Sequence, residues 1–272
     1  METGGLPESE RPGLLRSYLA EIERGLSGLP PPLAGAGVYR DLRGRFAGPD
    51  VYESVKDEFT MGLLAILDSI RNLVAASPDP LRAALAASTM GNLLDVAQGR
   101  AVPSIEELCG ILFTPPALDD SEDFAGRIPS ARKLVVFGDN AGESVLDLLF
   151  LELLPESVEA VYTVRPLPVM NDATVRDASL AGIADHARVI PTGLDAPTVR
   201  RGLLDARLER EIDDADLLLS KGQGNLEGML GTADERLYYS FVVKCPVVSE
   251  ITGLVEGSGV FAHSSRLPAW RF

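Results

Sequence analysis

Apolar residues recur with two different periods along this chain. In the N-terminal part, Leu14, Leu15, Tyr18, Leu19, Ile22 and Leu26 fall at three- and four-residue spacing, the mark of an amphipathic helix, which Leu29-Pro30-Pro31-Pro32 interrupts. Further helical patterns run from about Val51 to Ala76 and from about Pro80 to Gln98. From Lys133 onward short β-branched or leucine-rich runs alternate with helical segments. The runs are Leu134 to Phe137, Ala160 to Val164, Arg188 to Ile190, Ala215 to Leu219 and Pro246 to Ser249; the helices are Glu143 to Leu154, Ala173 to Ile183, Pro197 to Glu209 and Asn225 to Leu230. Strand and helix taking turns predicts βαβ units around a mainly parallel, Rossmann-like sheet in a three-layer α/β/α arrangement. The expected organisation is an N-terminal helical region over 1–113, a connector over 114–131 and an α/β domain over 132–272.

On that scaffold the polar residues gather at one edge. Ligands of an open parallel sheet bind beyond the carboxyl ends of its strands. Gly138-Asp139-Asn140 closes the first run, Asn171-Asp172 follows the second, and Lys221-Gly222-Gln223-Gly224-Asn225 follows the run ending near Leu219. Each also has a purely structural reading. Asn140 with Glu143 matches a capping box, Asp172 suits an N-cap before Ala173-Thr174-Val175-Arg176, and the glycine segment suits an ordinary turn with a solvent-exposed lysine. A cap does not account for Asp139. Two carboxylates, Asp139 and Asp172, arriving from neighbouring strand ends beside an amide oxygen suit a hard divalent cation such as magnesium or manganese.

Gly222 and Gly224 let backbone approach a ligand, while Lys221 adds a point charge and the following helix start adds free N–H groups. The segment is not a Walker A loop, whose lysine closes the glycine pattern ahead of Ser or Thr. It is not a dinucleotide fingerprint either, which belongs at the first βα turn. A cation on one side and an anion cradle on the other describe phosphoryl chemistry. A haloacid-dehalogenase phosphatase needs a second acid two residues after its strand-end Asp, where this chain has Ala141.

Composition narrows the partners. With 272 residues and 46% hydrophobic content the chain can bury a sizeable core, as one large domain or two small ones. A formal net charge of -15 argues against general nucleic-acid binding, which needs a basic field. Cys109 and Cys245 lie far apart, without the spacing of a zinc cluster or a disulfide framework, and read as two free thiols. The opening METGGLPESERPG carries acid and proline where a signal peptide needs basic and apolar residues, and runs such as Met61 to Leu67 are too short to span a bilayer. The expectation is a cytoplasmic protein with no membrane partner.

The motifs are also recognisable together. Gly138-Asp139-Asn140-Ala141-Gly142-Glu143, Asn171-Asp172-Ala173-Thr174 with Asp177-Ala178, and Ser220-Lys221-Gly222-Gln223-Gly224-Asn225-Leu226-Glu227 occur in this order. Upstream stand Asp50-Val51-Tyr52-Glu53-Ser54-Val55-Lys56 and Gly91-Asn92-Leu93-Leu94-Asp95. The set resembles the metal-dependent damage-control phosphatase family, a former domain of unknown function also called acidic-residue-methyltransferase-like, from roughly Pro32 to the C-terminus. The resemblance implies an α/β/α fold and a divalent metal (Mn2+, Mg2+, Co2+ or Ni2+) on Asp139, Asn140 and Asp172. It also implies hydrolysis of small, often damaged, phosphometabolites such as sugar phosphates.

On that template Lys221 and Asn225, with Gly222 and Gly224, contact the phosphate, Glu143 orients water or substrate beside the metal, and Asn92 and Asp95 close the pocket. Asn92 as a helix cap and Asp95 as a solvated carboxylate are the plainer readings. Arg165 and Arg176 are further anion-binding candidates, each with a surface ion pair as the simpler reading. The chain departs from the family's pattern in lacking a Cys-x-x-Cys segment and in having Val51 where Pro is common. Two other functions stand beside the phosphatase: an S-adenosylmethionine-dependent carboxyl methyltransferase and a catalytically silent binder of a phosphorylated ligand.

Overall fold

The computed structural model describes residues 8–25, 28–45, 50–94 and 105–268. Helices dominate its first part: α1 (Arg11–Gly25), α2 (Pro31–Ala34), α3 (Ala36–Arg45), α4 (Glu53–Ala75), α5 (Pro80–Gly91) and α6 (Ile105–Leu112). A short edge strand β1 (Leu118–Asp119) and α7 (Ser121–Arg127) lead into the alternating part. There follow β2 (Lys133–Phe137), α8 (Ser144–Leu151), β3 (Glu159–Val164), α9 (Val175–Ala181) and β4 (Arg188–Pro191). The chain continues through α10 (Ala206–Asp213), β5 (Leu217–Lys221), α11 (Gln223–Met229), β6 (Leu237–Val242), α12 (Pro246–Thr252) and β7 (Gly259–His263).

The strands form one sheet in the order β1-β7-β6-β5-β2-β3-β4, parallel throughout except for the antiparallel β6–β7 pair. From β2 the chain steps outward to β3 and β4, then returns to the other side of β2 as β5 and β6. The strand order therefore reverses between β2 and β5, and a crevice opens beyond their carboxyl ends.

The central strands are apolar on both faces of the pleat, which is why helices cover both. Leu134 and Val136 of β2, Tyr162 of β3 and Leu217 and Leu219 of β5 share a core with Phe59, Leu63 and Leu67 of α4, Leu85 of α5 and Leu146 of α8. Val135, Phe137 and Leu218 point the other way, onto Leu208 and Ile212 of α10, Leu226 of α11 and Val248 of α12. The three-layer α/β/α reading thus matches the structure, and the long helices α4 and α5 of the N-terminal region build one of the layers.

Several elements differ from the sequence expectation. Pro246 to Ser249 is the start of α12 rather than a strand: Pro246 occupies the first turn and Gly253, at φ 70, ends the helix in the left-handed region. Strands β6 and β7 carry the sheet beyond β5 instead. The stretch read as a connector contributes β1, parallel to β7, together with α7. Residues 197–205 are irregular, and α10 begins only after Asp205, whose side chain accepts a hydrogen bond from the Arg207 N–H. Leu26 and residues 95–98 lie outside the described residues. No helix among the described residues is long and apolar enough to cross a membrane.

Because α4 shares one core with β2 and β3, Leu63→Ala should cost about 2–5 kcal/mol and leave a single unfolding transition. Urea unfolding followed by far-UV circular dichroism and by tyrosine and tryptophan fluorescence checks this; an early separate transition in the helical signal would contradict it.

Candidate active site at the carboxyl edge of the sheet

Backbone hydrogen bonds stitch the loops after β2 and β3 into one unit. Ala141 donates its N–H to the Asn171 carbonyl at 2.9 Å, Ala173 donates to the Asp139 carbonyl at 2.8 Å, and Asn140 and Asp172 form an isolated antiparallel bridge. Met170, just before this bridge, holds a positive φ of 50, costly for a side chain of its size. Lys56 of α4 secures the same loop: it pairs with Asp50 at 2.5 Å and with Asp177 at 2.6 Å, and it reaches the Asp172 carbonyl at 3.5 Å. The upstream Asp50-to-Lys56 motif is thereby a brace for the Asp172 loop. Asp172 caps no helix; Thr174 is the N-cap of α9, in a capping box with Asp177.

Asp139, Asn140 and Asp172 are buried together. Asn140 donates its amide N–H to Asp139 Oδ2 at 3.2 Å and to Glu143 Oε2 at 3.0 Å. Asn92, at the end of α5, donates to the same two carboxylates at 2.9 and 2.7 Å, while its own Oδ1 accepts from the Val242 N–H at 3.2 Å. Gly222, at φ 77, lies so near that an added Cβ would fall 1.9 Å from Asp139 Oδ2. Only glycine combines that backbone conformation with that approach.

Lys221 and Asn225, expected at the phosphate, are both engaged with protein groups. Lys221 is fully buried: its Nζ binds Asp147 Oδ1 and Ser88 Oγ, each at 2.8 Å, and approaches Glu143 at 3.5 Å. Burial alone would lower its pKa, but Asp147 and Glu143 outweigh that and raise it. Asp147 also accepts from the Tyr162 hydroxyl at 2.7 Å. Asn225 faces inward as well, donating its amide N–H to the Gly138 and Lys221 carbonyls while its Oδ1 accepts from Arg165. Arg165 is a buried partner of Asp172 at 2.6 Å, not a surface ion pair. Arg176 is half-exposed and pairs with Asp57, as its simpler reading held.

Asn92 supports the carboxylates from inside rather than closing over a substrate, and Asp95 lies outside the described residues. Glu143 occupies the N-cap of α8 without making a cap hydrogen bond, so its carboxylate belongs to this network.

A cleft of about 360 Å³ opens over Asp139, Asn140 and Asp172 and is also lined by Tyr39, Gln223, Gly224, Glu227 and Lys244. Lys244 is thus the cation that lines the cleft among the described residues. It follows β6, a strand the sequence pattern did not reveal, and a single lysine carries no motif of its own. Gly224 lines the wall as well, and a Cβ there would press on the Pro197 carbonyl. The two glycines after β2 are used in packing, Gly138 against Tyr162 and Gly142 against Phe59. Neither is left as the open glycine edge that a methyltransferase cofactor loop requires.

Residues 14–260 match the family model described as the damage-control phosphatase ARMT1-like domain. The chain belongs to that family. It is 25% identical over 231 residues to a damage-control phosphatase of Pyrococcus horikoshii, covering 84% of this chain and 79% of the relative. A damage-control phosphatase of Archaeoglobus fulgidus is 28% identical over 218 residues, 78% of this chain and 75% of that one. An uncharacterized protein of Methanocaldococcus jannaschii is 28% identical over 239 residues, 85% and 79% of the two chains. The crystal structure of a DUF89 family protein from P. horikoshii superposes with a TM-score of 0.85 at 21% identity, over 97% of this chain and 93% of that one, and so shares the fold.

For a member of this ARMT1-like family, the charge balance tests whether a cation fits. Among the described residues no group of three or more His, Cys, Asp and Glu side chains is arranged to hold a metal ion. The donor set here is two carboxylates with an amide. Arg165 holds Asp172, whereas Asp139 is hydrogen-bonded only by the amides of Asn92 and Asn140 among the described residues. Burial, then the charges of Glu143 and Asp172, push the Asp139 pKa up to about 8 against the opposing pull of Lys244 and Arg165. Burial raises Asp172 too. Acidic oxygens that cannot all ionise unaided are the donor chemistry that a hard divalent cation satisfies.

The raised pKa has a thermodynamic sign. Without a cation Asp139 keeps its proton in the folded chain up to about pH 8 but loses it near 3.8 when unfolded. Its contribution to stability is present in full below the unfolded value and is lost as pH rises through the folded one. In chelator, stability should therefore fall more steeply between pH 5 and pH 9 (roughly the window of that shift) in the native chain than in Asp139→Asn. Urea titrations across that range check this; equal slopes would contradict it.

Proposed function

We propose that this chain is a metal-dependent phosphatase that hydrolyses small phosphate monoesters. The observation that carries the reading is the buried Asp139-Asn140-Asp172 set at the strand-order reversal, opening on the cleft that Lys244 lines. The relatives named damage-control phosphatases support it.

Asp139, Asn140 and Asp172 would hold the cation, with Mn2+, Mg2+, Co2+ and Ni2+ the candidate ions. Bound there, a divalent cation would supply Lewis acidity toward a phosphoryl oxygen and a water of lowered pKa. The chain's own residues do the positioning. Asn92 and Asn140 fix the Asp139 carboxylate through their amide N–H groups, and Arg165 holds one oxygen of Asp172. Asn225 anchors Arg165 and ties it to the carbonyl end of β2. Lys221 neutralises Glu143 and Asp147 from below, so it acts on the phosphate only by keeping that floor in place. Lys244, on the cleft wall, adds positive charge to the side of the site that the phosphate would approach. Asn140 has committed its N–H groups to the two carboxylates, which leaves its oxygen for the cation.

The substrate is then a small phosphorylated metabolite. Hydrolysis of p-nitrophenyl phosphate should require one of the four ions and stop on chelation. Asp139→Ala should lower kcat by about three orders of magnitude or more, the scale of losing an electrostatic catalytic group, with the circular dichroism spectrum retained. Full activity in chelator, or in Asp139→Ala, would sink the reading. Tight stoichiometric binding of S-adenosylmethionine in calorimetry would turn the assignment toward the methyltransferase.

A further inference from the structure

The phosphatase reading accounts for the floor of the cleft and leaves two polar groups on its walls unused. Tyr39 comes from α3 and Glu227 from α11, and both line the cleft over Asp139 and Asp172. Burial, then the charges of Asp172, Tyr52 and Glu227, raise the Tyr39 pKa. Among the described residues the Tyr39 hydroxyl makes no hydrogen bond, and Glu227 accepts one, from Gln223 Nε2 to Oε1 at 3.0 Å. No basic side chain pairs with Glu227 among the described residues, and burial raises its pKa.

A carboxyl group in that position is a poor neighbour for a phosphate and a good acceptor for a hydroxyl; the phenol lining the same cleft can donate or accept. Both groups are held in place. Gln223 clamps Glu227 while its Oε1 accepts from the Lys244 N–H at 3.1 Å, which fixes the distance between the two walls. The helix carrying Tyr39 is latched to the sheet side by Arg43, which pairs with Asp195 at 2.6 Å and donates to the Pro168 carbonyl at 2.8 Å.

We propose that Tyr39 and Glu227 are the specificity-determining pair of the cleft, reading the alcohol half of the substrate and selecting phosphate monoesters whose leaving group carries a hydroxyl near the ester. The inference rests on the phosphatase reading for the position of the phosphate, beside Lys244 and the three ligands. Glu227 accepts a hydrogen bond from the substrate hydroxyl and Tyr39 completes the contact from the opposite helix.

The test compares sn-glycerol 3-phosphate with n-propyl phosphate, which share a carbon chain and differ in hydroxyls, on the Mn2+-loaded protein and on Tyr39→Phe and Glu227→Gln. Native protein should favour the glycerol ester by about tenfold or more in kcat/KM and in calorimetric Kd, the scale of one hydrogen bond to a charged group. In each variant that ratio should fall several-fold, through the glycerol ester. Equal treatment of the two esters by the native protein overturns the proposal, as does a ratio unchanged in both variants. If neither ester nor p-nitrophenyl phosphate is turned over while the binding preference persists and falls in the variants, the recognition pair stands and the phosphatase reading falls.

Discussion

Four carboxylates, Asp139, Glu143, Asp147 and Asp172, are buried at the carboxyl edge of the central strands, and among the described residues the buried side chains that form ion pairs with them are Lys221 and Arg165. Removing charge from water is costly unless it is paired and hydrogen-bonded, so this imbalance governs what surrounds it. Lys221 answers Asp147 and Glu143, and Arg165 answers Asp172. Among the described residues Asp139 is left with two amides and a raised pKa. Among the described residues these carboxylates outnumber the cations paired with them, and a divalent cation on Asp139, Asn140 and Asp172 would remove that deficit.

The rest of the structure serves that arrangement. Reversal of strand order at β2 and β5 brings Asp139 against Gly222, and the stitched loops bring Asp172 beside Asn140. The N-terminal helices supply the floor: Asn92 and Ser88 from the end of α5, and Lys56 from α4 as a brace on the Asp172 loop. That division of labour follows from the core, since α4, α5 and α8 pack on the same face of the sheet as Leu134, Val136 and Leu219.

Much of this was legible in the sequence. The run ending at Phe137, the Gly138-Asp139-Asn140 tip and the Asn171-Asp172 loop each lie where an apolar strand meets a turn, and the sheet edge brings them together. The burial of Lys221 was not legible because its strand was ended too early. With β5 extended to Lys221, the period of two puts Leu217, Leu219 and Lys221 on one face, toward Ser88 and Asp147 and away from the cleft. Val247 and Val248 looked like a strand, yet Pro246 and Gly253 are a helix's start and stop signals. Lys244, Tyr39 and Glu227 are ordinary residues locally; only the tertiary fold gathers them in one cleft.

The most direct test of the charge-deficit account is calorimetric titration of the metal-free protein with Mn2+ in buffers of different ionisation enthalpy. The account predicts one ion per chain, with about one proton released near pH 7 as Asp139 gives up its proton, and release fading above about pH 9. It also predicts that Asp139→Asn weakens binding and releases no proton. Tight binding that is unchanged in Asp139→Asn, or no binding to the native chain at any pH, would contradict it.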